Sequence, residues 1–490
     1  MEVASRLSNQ VQILNYINGE LSPPISGKLL DCYEPATGEK IGTCPNSGLE
    51  DVNAAVKAAT SAFEGWSNLT AADRAAYLNA IADGIAVRQD EFAKAETLDT
   101  GKPLWLTRSV DIPRAIQNFR FFAAAASQFS SESHFTEGVG INYTLRRPLG
   151  VVACISPWNL PLYLFSWKIA PALCVGNCVV GKPSEITPNT AFMLAEVCIE
   201  IGLPAGVLNI IHGVGNKSGD HLITHSEIKA ISFTGSTAVG RHIASQAAKS
   251  LQKTSLELGG KNPVIIFADC DFEGMLKATL ASSFANQGQI CLCGSRIYVE
   301  RGLYADFKAE FVKRTAAMTV GDPLDPNSKL GALTSQPHLE KVLSYIRLAK
   351  EEGGDILCGG GSVTVEGRCR NGWFVQPTIV EGLPVDCRTN QEEIFGPVVT
   401  IAQFDSEADA LQLANSTDYG LAAVIWTENI KRALSMAEYI QAGIVWINGW
   451  MPRDLRTPFG GVRQSGVGRE GGNEAMRFFT EPKNVFVQYK

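Results

Sequence analysis

Long runs of any one kind are missing from this sequence. No basic run exceeds a pair such as Arg146-Arg147, and 50 acidic residues against 43 basic ones give a formal net charge of −7. A surface of that sign repels phosphate backbones and anionic headgroups, which argues against nucleic acid or a membrane surface as partner. No apolar run approaches the ~18 residues a membrane-spanning helix needs. Histidines number only 6; His221 and His225 stand one helical turn apart, but Leu222 and not Glu follows the first, so no metal site is expected. The 12 cysteines follow no regular spacing, and Cys154, Cys174, Cys178 and Cys198 sit inside apolar runs. That suits reduced thiols packed as small hydrophobes and not a disulfide framework. The amino terminus, MEVASRLSNQVQIL, has neither the apolar core of a signal peptide nor the Arg-rich character of a transit peptide, so a cytoplasmic location is expected.

What is present is length and apolar content: 490 residues, 45% hydrophobic, enough for two or three domains with large cores. Residues 51–97 read as Ala-rich amphipathic helix broken around Gly65 to Thr70. From residue 149 short apolar runs alternate with helical patterns. The runs are Gly150 to Ile155, Asn177 to Gly181, Val207 to Ile211, Ala230 to Phe233 and Leu256 to Leu258. Buried strands separated by crossover helices imply a parallel sheet covered on both faces. A second alternation starts near residue 263, with strands expected at Val264 to Phe267, Arg296 to Val299, Gly396 to Phe404, Ala422 to Trp426 and Gly443 to Ile447. Ile141 to Arg146 and Val485 to Tyr489 alternate like strands exposed on one face. Bare edges of this kind are usually covered, so each is expected to pair across a subunit interface.

Two glycine-containing loops invite a phosphate. Gly213-Val-Gly-Asn-Lys-Ser-Gly219 has its third glycine one residue late for G-x-G-x-x-G and reads as a structural turn. In Phe233-Thr-Gly-Ser-Thr-Ala-Val-Gly240 a strand ends at Gly235 and Ser236 is placed to cap the next helix, whose free N–H groups and positive end would meet a pyrophosphate. The same loop reads equally as an ordinary capped turn. Lys182 and Glu185 follow the second strand of the unit, where a carboxylate can bond ribose hydroxyls. A carboxylate there repels a 2′-phosphate, which favours NAD over NADP; alone, the two residues are a surface pair in a polar loop.

Phe284-Ala-Asn-Gln-Gly-Gln-Ile-Cys-Leu-Cys-Gly-Ser-Arg296 sets Cys291 and Cys293 in a polar, glycine-containing segment, a setting for a reactive thiolate more than for packing. C-x-C without nearby histidines is a weak zinc signal, and a papain-like nucleophile would need an imidazole base that the sequence does not mark. Together with Ser255-Leu-Glu-Leu-Gly-Gly-Lys-Asn-Pro263, Pro157-Trp-Asn-Leu-Pro161, Glu392-Glu-Ile-Phe-Gly-Pro397 and Pro458-Phe-Gly-Gly461, this segment resembles the signatures of the NAD(P)-dependent aldehyde dehydrogenase superfamily, in the same order and over essentially the whole chain.

The resemblance implies an α/β fold with three parts. These are a Rossmann-like parallel-sheet NAD-binding domain (1–125 and 149–259), a second α/β catalytic domain (260–470), and a small β oligomerisation flap (126–148 and 471–490) in a homo-oligomer. It also implies a chemistry. Cys291 would attack an aldehyde, the Asn159 amide and the Cys291 backbone N–H would hold the oxyanion, hydride would pass to NAD, and Glu257 would activate water to hydrolyse the thioester. By the same resemblance Lys182 and Glu185 bind the adenosine ribose, Gly235 and Ser236 the pyrophosphate and Glu393 the nicotinamide ribose, with Trp158 and Phe395 lining the cofactor site. From the residues alone, Glu257 in an apolar strand beside Gly259 and Gly260 should have a raised pKa. Asn159 could simply hold a turn, and Trp158 and Phe395 could be core aromatics.

Segments around Arg114, Trp158 and Arg453 resemble the subgroup acting on muconic semialdehydes. The implied substrate is the 2-aminomuconic 6-semialdehyde of tryptophan breakdown, with 2-hydroxymuconic semialdehyde or retinal as alternatives. In that subgroup arginines matching Arg114 and Arg453 hold the substrate carboxylate, for which a planar fork of donors is suited. Arg120 and Arg456 are close enough in sequence to be the contacts instead. Leu160, Leu162 and Leu164 are expected to make the tunnel mouth apolar. Two further readings stay open: a cofactor-binding structural protein without turnover, and a CoA-acylating dehydrogenase.

Overall fold

The computed structural model describes residues 11–489, so the first ten residues, on which part of the leader reading rests, lie outside the described residues. The chain builds two large sheets. The first has eight strands in the order Gly466–Val467, Lys253–Glu257, Ile228–Thr234, Val151–Ile155, Cys178–Lys182, Leu208–Ile210, Asn15–Ile17, Glu20–Ser22. From Lys253–Glu257 to Leu208–Ile210 neighbours run parallel. Every residue of Val151–Ile155 and of Cys178–Lys182 is buried, as a strand covered on both faces requires. The helices Pro161–Cys174, Asn189–Glu200 and Thr237–Ala248 make the covering layers. Each strand expected in this sheet is found within about three residues of its expected span.

Val151–Ile155 has Cys178–Lys182 on one side and Ile228–Thr234 on the other. That reversal of strand order opens a crevice at the carboxyl ends of the strands, the usual ligand position in an open α/β sheet. Asn159, Lys182, Gly235, Ser236 and Glu257 all lie at or just beyond those ends.

Residues 49–100 form three helices, not one interrupted once. Gly65 lies within Leu49–Ser67; the break comes at Thr70, whose Oγ1 accepts from Asp73 N at 3.2 Å while Asp73 Oδ2 accepts from Thr70 N at 3.2 Å. A second break falls at Arg88, ahead of Gln89–Thr100.

The second sheet has seven strands: Asp355–Cys358, Thr378–Glu381, Val398–Phe404, Gly294–Glu300, Asn262–Ile266, Ala422–Trp426 and Ile444–Ile447. All but the first run parallel. The two strands at the Asp355 end were not marked by the sequence. They are four residues each, and Asp355–Cys358 has no buried residue, so neither carries a long apolar run.

A third sheet joins Thr480–Gln488, Gly140–Pro148 and Ser133–Thr136, all antiparallel. Within the chain, Ile141 to Arg146 and Val485 to Gln488 pair with one another, Val485 opposite Tyr143. One edge of Thr480–Gln488 is covered by Gly140–Pro148, and its outer edge meets no other strand among the described residues, so pairing there across a subunit interface is still open to it. The sheet still exposes Phe135, Tyr143, Phe486 and Val487. Among the described residues no helix is long and apolar enough to cross a membrane.

Candidate active site

The Cys291 loop is folded by an unusual backbone. After the helix Phe272–Phe284, Asn286 and Gln287 are both left-handed, with φ of 51° and 55°. Two such residues in succession reverse the chain, and Gly288 follows at φ 70°, where a Cβ would lie 2.2 Å from the Gly396 carbonyl oxygen. Side chains then pin the loop. Gln287 Nε2 donates to Ala332 O at 2.7 Å, Asn262 Nδ2 to Cys291 O at 2.7 Å and to Cys293 O at 2.9 Å, and Trp450 Nε1 to Leu292 O at 3.0 Å. Leu292 and Cys293 are turned into a small apolar cluster with Ile290 and Phe459, whereas Cys291 is partly exposed. Burial pushes the Cys293 thiol up to about 12, and its Sγ faces Ala285 O. Both thiols border one cavity, and Cys293 is the more deeply packed of the two.

Cys291 lines one cavity with Gly260, Lys261, Glu393 and Phe395. Burial raises its thiol first, then the Glu393 and Glu257 carboxylates, while Arg453 acts in the opposite direction. Glu257, the last residue of Lys253–Glu257, is 3% exposed and neither of its oxygens has a hydrogen-bond partner. Burial pushes its carboxyl well above the usual range, as its apolar setting in the sequence suggests, and Glu470 adds to the effect. Gly460 makes room for it: at φ 153° a Cβ would lie 2.6 Å from Glu257 Oε1.

Asn159 is 4% exposed, in the turn between Val151–Ile155 and Pro161–Cys174. Its Nδ2 donates to Gln289 O at 2.9 Å, so its amide lies against the Cys291 loop with a second N–H to give.

At the crevice, Lys182 Nζ stands 3.3 Å from Glu185 Oε2 and also donates to Pro183 O, with Lys182 buried and Glu185 partly exposed. Ser236 is exposed and caps Thr237–Ala248, its Oγ accepting from Val239 N. Gly235 N donates to Glu257 O at 3.0 Å, which links this loop to the strand carrying the carboxyl group. Glu393 Oε1 accepts from Gly260 N at 2.9 Å, and its Oε2 packs over Gly259, where a Cβ would intrude to 2.2 Å. Phe395 adopts φ 61°, a strained conformation for an aromatic residue. His338 Nε2 holds it, donating to Phe395 O at 2.7 Å, and Trp158 meets Phe395 edge to face at 5.3 Å and His338 at 5.0 Å. Burial lowers His338 to about 4, so near neutral pH the ring is uncharged and its one N–H is spent on that carbonyl. A helix N-terminus for a pyrophosphate, a carboxylate for each ribose and an aromatic wall form a set that fits a dinucleotide.

Arg114 and Arg453 converge on Tyr163. Arg453 Nη1 donates to the Tyr163 hydroxyl at 2.6 Å, and its guanidinium lies 4.0 Å from the Phe459 ring centroid and 4.5 Å from that of Trp167. Arg114, in the helix Ile112–Ala126, lies 5.7 Å from the Tyr163 ring. Arg114 Nη1 and Arg453 Nη2 are each buried without a partner. Arg453 also borders an open cleft of about 770 Å³ with Phe121 and Trp446. Arg120 and Arg456, the neighbours considered from sequence, instead pair at the surface with Asp83 and Asp454. The apolar mouth needs correction. Leu160 and Leu164 cluster with Tyr163, but Leu162 packs in the main core, because helical side chains share a face at i, i+4 and not at i, i+2.

Sequence reading missed Lys168 and Glu470. They form a buried ion pair of 2.6 Å, joined by Ser232, whose Oγ donates to Glu470 Oε1 at 3.2 Å. Both act electrostatically on Glu257, in opposite senses. The available signal was one lysine in a helix whose every residue is buried. Tyr163 and His338 were also missed, since neither type is marked out by its neighbours in sequence.

Comparison with known proteins supplies the class. Residues 23–485 match the aldehyde dehydrogenase family, to which the chain belongs. A 2-aminomuconic semialdehyde dehydrogenase of Danio rerio is 48% identical over 478 residues, covering 97% of this chain and 98% of that protein. A 2-hydroxymuconic semialdehyde dehydrogenase of a Pseudomonas species is 46% identical over 483 residues, covering 97% of this chain and 99% of that protein. Among solved structures, the NAD+ complex of an aldehyde dehydrogenase from Bacillus cereus gives a TM-score of 0.96 at 38% identity, covering 100% of this chain and 99% of that chain.

Proposed function

We propose that the protein oxidises 2-aminomuconic 6-semialdehyde to 2-aminomuconate, with residues 1–125 and 149–259 holding NAD and residues 260–470 supplying the nucleophile. The observation that carries the substrate class is the pair of buried, unpartnered guanidinium nitrogens on Arg114 and Arg453, both beside Tyr163. A substrate carboxylate satisfies both; a neutral aldehyde such as retinal leaves them unpaired, which costs free energy at each donor.

The Cys291 sulfur attacks the carbonyl carbon, and negative charge develops on the aldehyde oxygen against the second Asn159 N–H and the Cys291 backbone N–H. NAD, when bound, accepts the hydride. The thioester left on Cys291 is hydrolysed by water that gives up a proton to Glu257. Glu257, buried beside this centre, favours water over CoA as acyl acceptor.

Replacing Arg114 or Arg453 by Ala is expected to lower kcat/KM for muconic semialdehydes about 10- to 100-fold, the loss of charged hydrogen bonds. The values for benzaldehyde should change less than threefold. Equal effects on both aldehydes, or none on the carboxylated one, refute the substrate reading. 2-Hydroxymuconic semialdehyde carries the same carboxylate, and the Pseudomonas relative is named for it; competition kinetics of the two substrates ranks them.

We also propose a homo-oligomer built on the exposed apolar face of the third sheet that Phe135, Tyr143 and Val487 share by register. Sedimentation equilibrium should give a multiple of the 52.8 kDa chain mass, and the double variant Tyr143→Asp, Val487→Asp should sediment as smaller species. A monomeric parent protein defeats that reading. The 12 cysteines are all free thiols, which supports a reducing, cytoplasmic setting.

A further inference from the structure

Behind the site lies a buried ionic cluster with no contact to the Cys291 cavity. Lys102 and Glu96 have no exposed surface and Asp111 is 1% exposed. Lys102 Nζ donates to Asp111 Oδ2 at 2.6 Å and to the backbone carbonyl of Asn159 at 2.8 Å, with Glu96 Oε1 at 3.9 Å. Glu96 Oε2 accepts from Leu162 N at 3.3 Å and from Thr190 Oγ1 at 3.2 Å. Burial pushes the Glu96 carboxyl up to about 8, with Lys102 acting in the opposite direction.

The placement of these partners is what matters. Asn159 and Leu162 bracket the turn that carries the oxyanion amide, and the cluster grips that turn at a carbonyl on one side and an N–H on the other. Asp111 closes the π-helical turn Thr107–Asp111, which leads without a break into Ile112–Ala126. A π turn inserts one residue, which rotates all that follows by roughly 100°. Asp111 and Arg114 stand at i, i+3 and so share a face of the continuing helix. Lys102 is thus a strut with one end on the oxyanion turn and the other on the helix of the substrate arginine. A buried ion pair is a poor source of stability compared with apolar residues of the same volume, so a packing role does not account for it.

We propose that Lys102 is a positioning residue. With Asp111 it fixes the distance and orientation between the Asn159 amide, where the aldehyde oxygen sits, and the Arg114 guanidinium, where the far carboxylate sits. The protein then selects aldehydes by the spacing between their two ends, an inference that rests on the roles given above to Asn159 and Arg114.

Lys102→Met removes the strut and keeps the volume. In the full-length protein it is expected to lower kcat at least about 10-fold with benzaldehyde and with the muconic semialdehyde. It should also lower the ratio of their kcat/KM values at least about 10-fold, with the affinity for NAD unchanged. A second comparison guards against misfolding: Asp111→Ala should reproduce both losses, and Asp111→Asn, which keeps an oxygen toward Lys102, should restore most of each. An unchanged ratio in folded variants overturns the proposal. So does activity that falls only in step with the folded fraction measured by circular dichroism. If Arg114→Ala leaves carboxylate preference intact, the substrate reading itself has failed; if only the Lys102 and Asp111 variants do so, the strut alone is refuted.

Discussion

Replacing Cys291 by Ala is expected to lower kcat for aldehyde oxidation by about 10⁴-fold or more, the scale seen when a nucleophile is deleted from a covalent mechanism. Cys293 borders the same cavity as Cys291 but is the more buried of the two. Cys293, two residues on, is packed among Ile290, Leu292 and Phe459, so Cys293→Ala should leave activity within about threefold. NAD affinity should be unchanged in both variants, because the residues proposed to hold the ribose and pyrophosphate lie on other segments. NADH absorbance measures the rate, and intact-protein mass spectrometry under turnover should find an acyl group at position 291. Turnover that survives the loss of this thiol rules out the thioester route.

Glu257→Gln is expected to separate the two halves of the reaction. Hydride transfer needs Cys291 and Asn159, so one equivalent of NADH per active site should still form rapidly. Hydrolysis should then slow by about 10²- to 10⁴-fold, the usual worth of a general base, and the acyl-enzyme should accumulate. The pH dependence has a definite sign. Burial and Glu470 raise the Glu257 carboxyl well above the ordinary carboxylate range, so its basic form grows as pH rises through that raised value. Deacylation by the native protein should therefore accelerate with pH until that raised value is passed, then level off. In Glu257→Gln the slope should vanish. A burst-free time course, or a pH slope that persists in the variant, excludes Glu257 as the base.

Much of this was legible in the chain because burial leaves marks that survive in one dimension. Strands such as Val151–Ile155 and Ala422–Trp426 are buried at every residue, so they show as unbroken apolar runs. Glu257 stood out as a carboxylate at the end of such a run. Features that depend on distant segments meeting did not show. Lys168 and Glu470 are 302 positions apart, and Arg453 reaches Tyr163 across 290. Each is unremarkable beside its own neighbours. The two flap strands were recognised as strands, but their mutual pairing is also a long-range fact, and the pattern of one edge cannot name the edge it meets.

Glu257 ends a strand of the first sheet, and Cys291 stands three residues ahead of Gly294–Glu300 in the second. Neither layer owns a reacting pair. Their separation is a tolerance at a joint, set where the absence of a side chain on Gly460 leaves room for the carboxyl oxygen. Anything that wedges or shears that joint detunes hydrolysis while leaving each half intact, so damage to the chemistry can arise far from any residue that performs it.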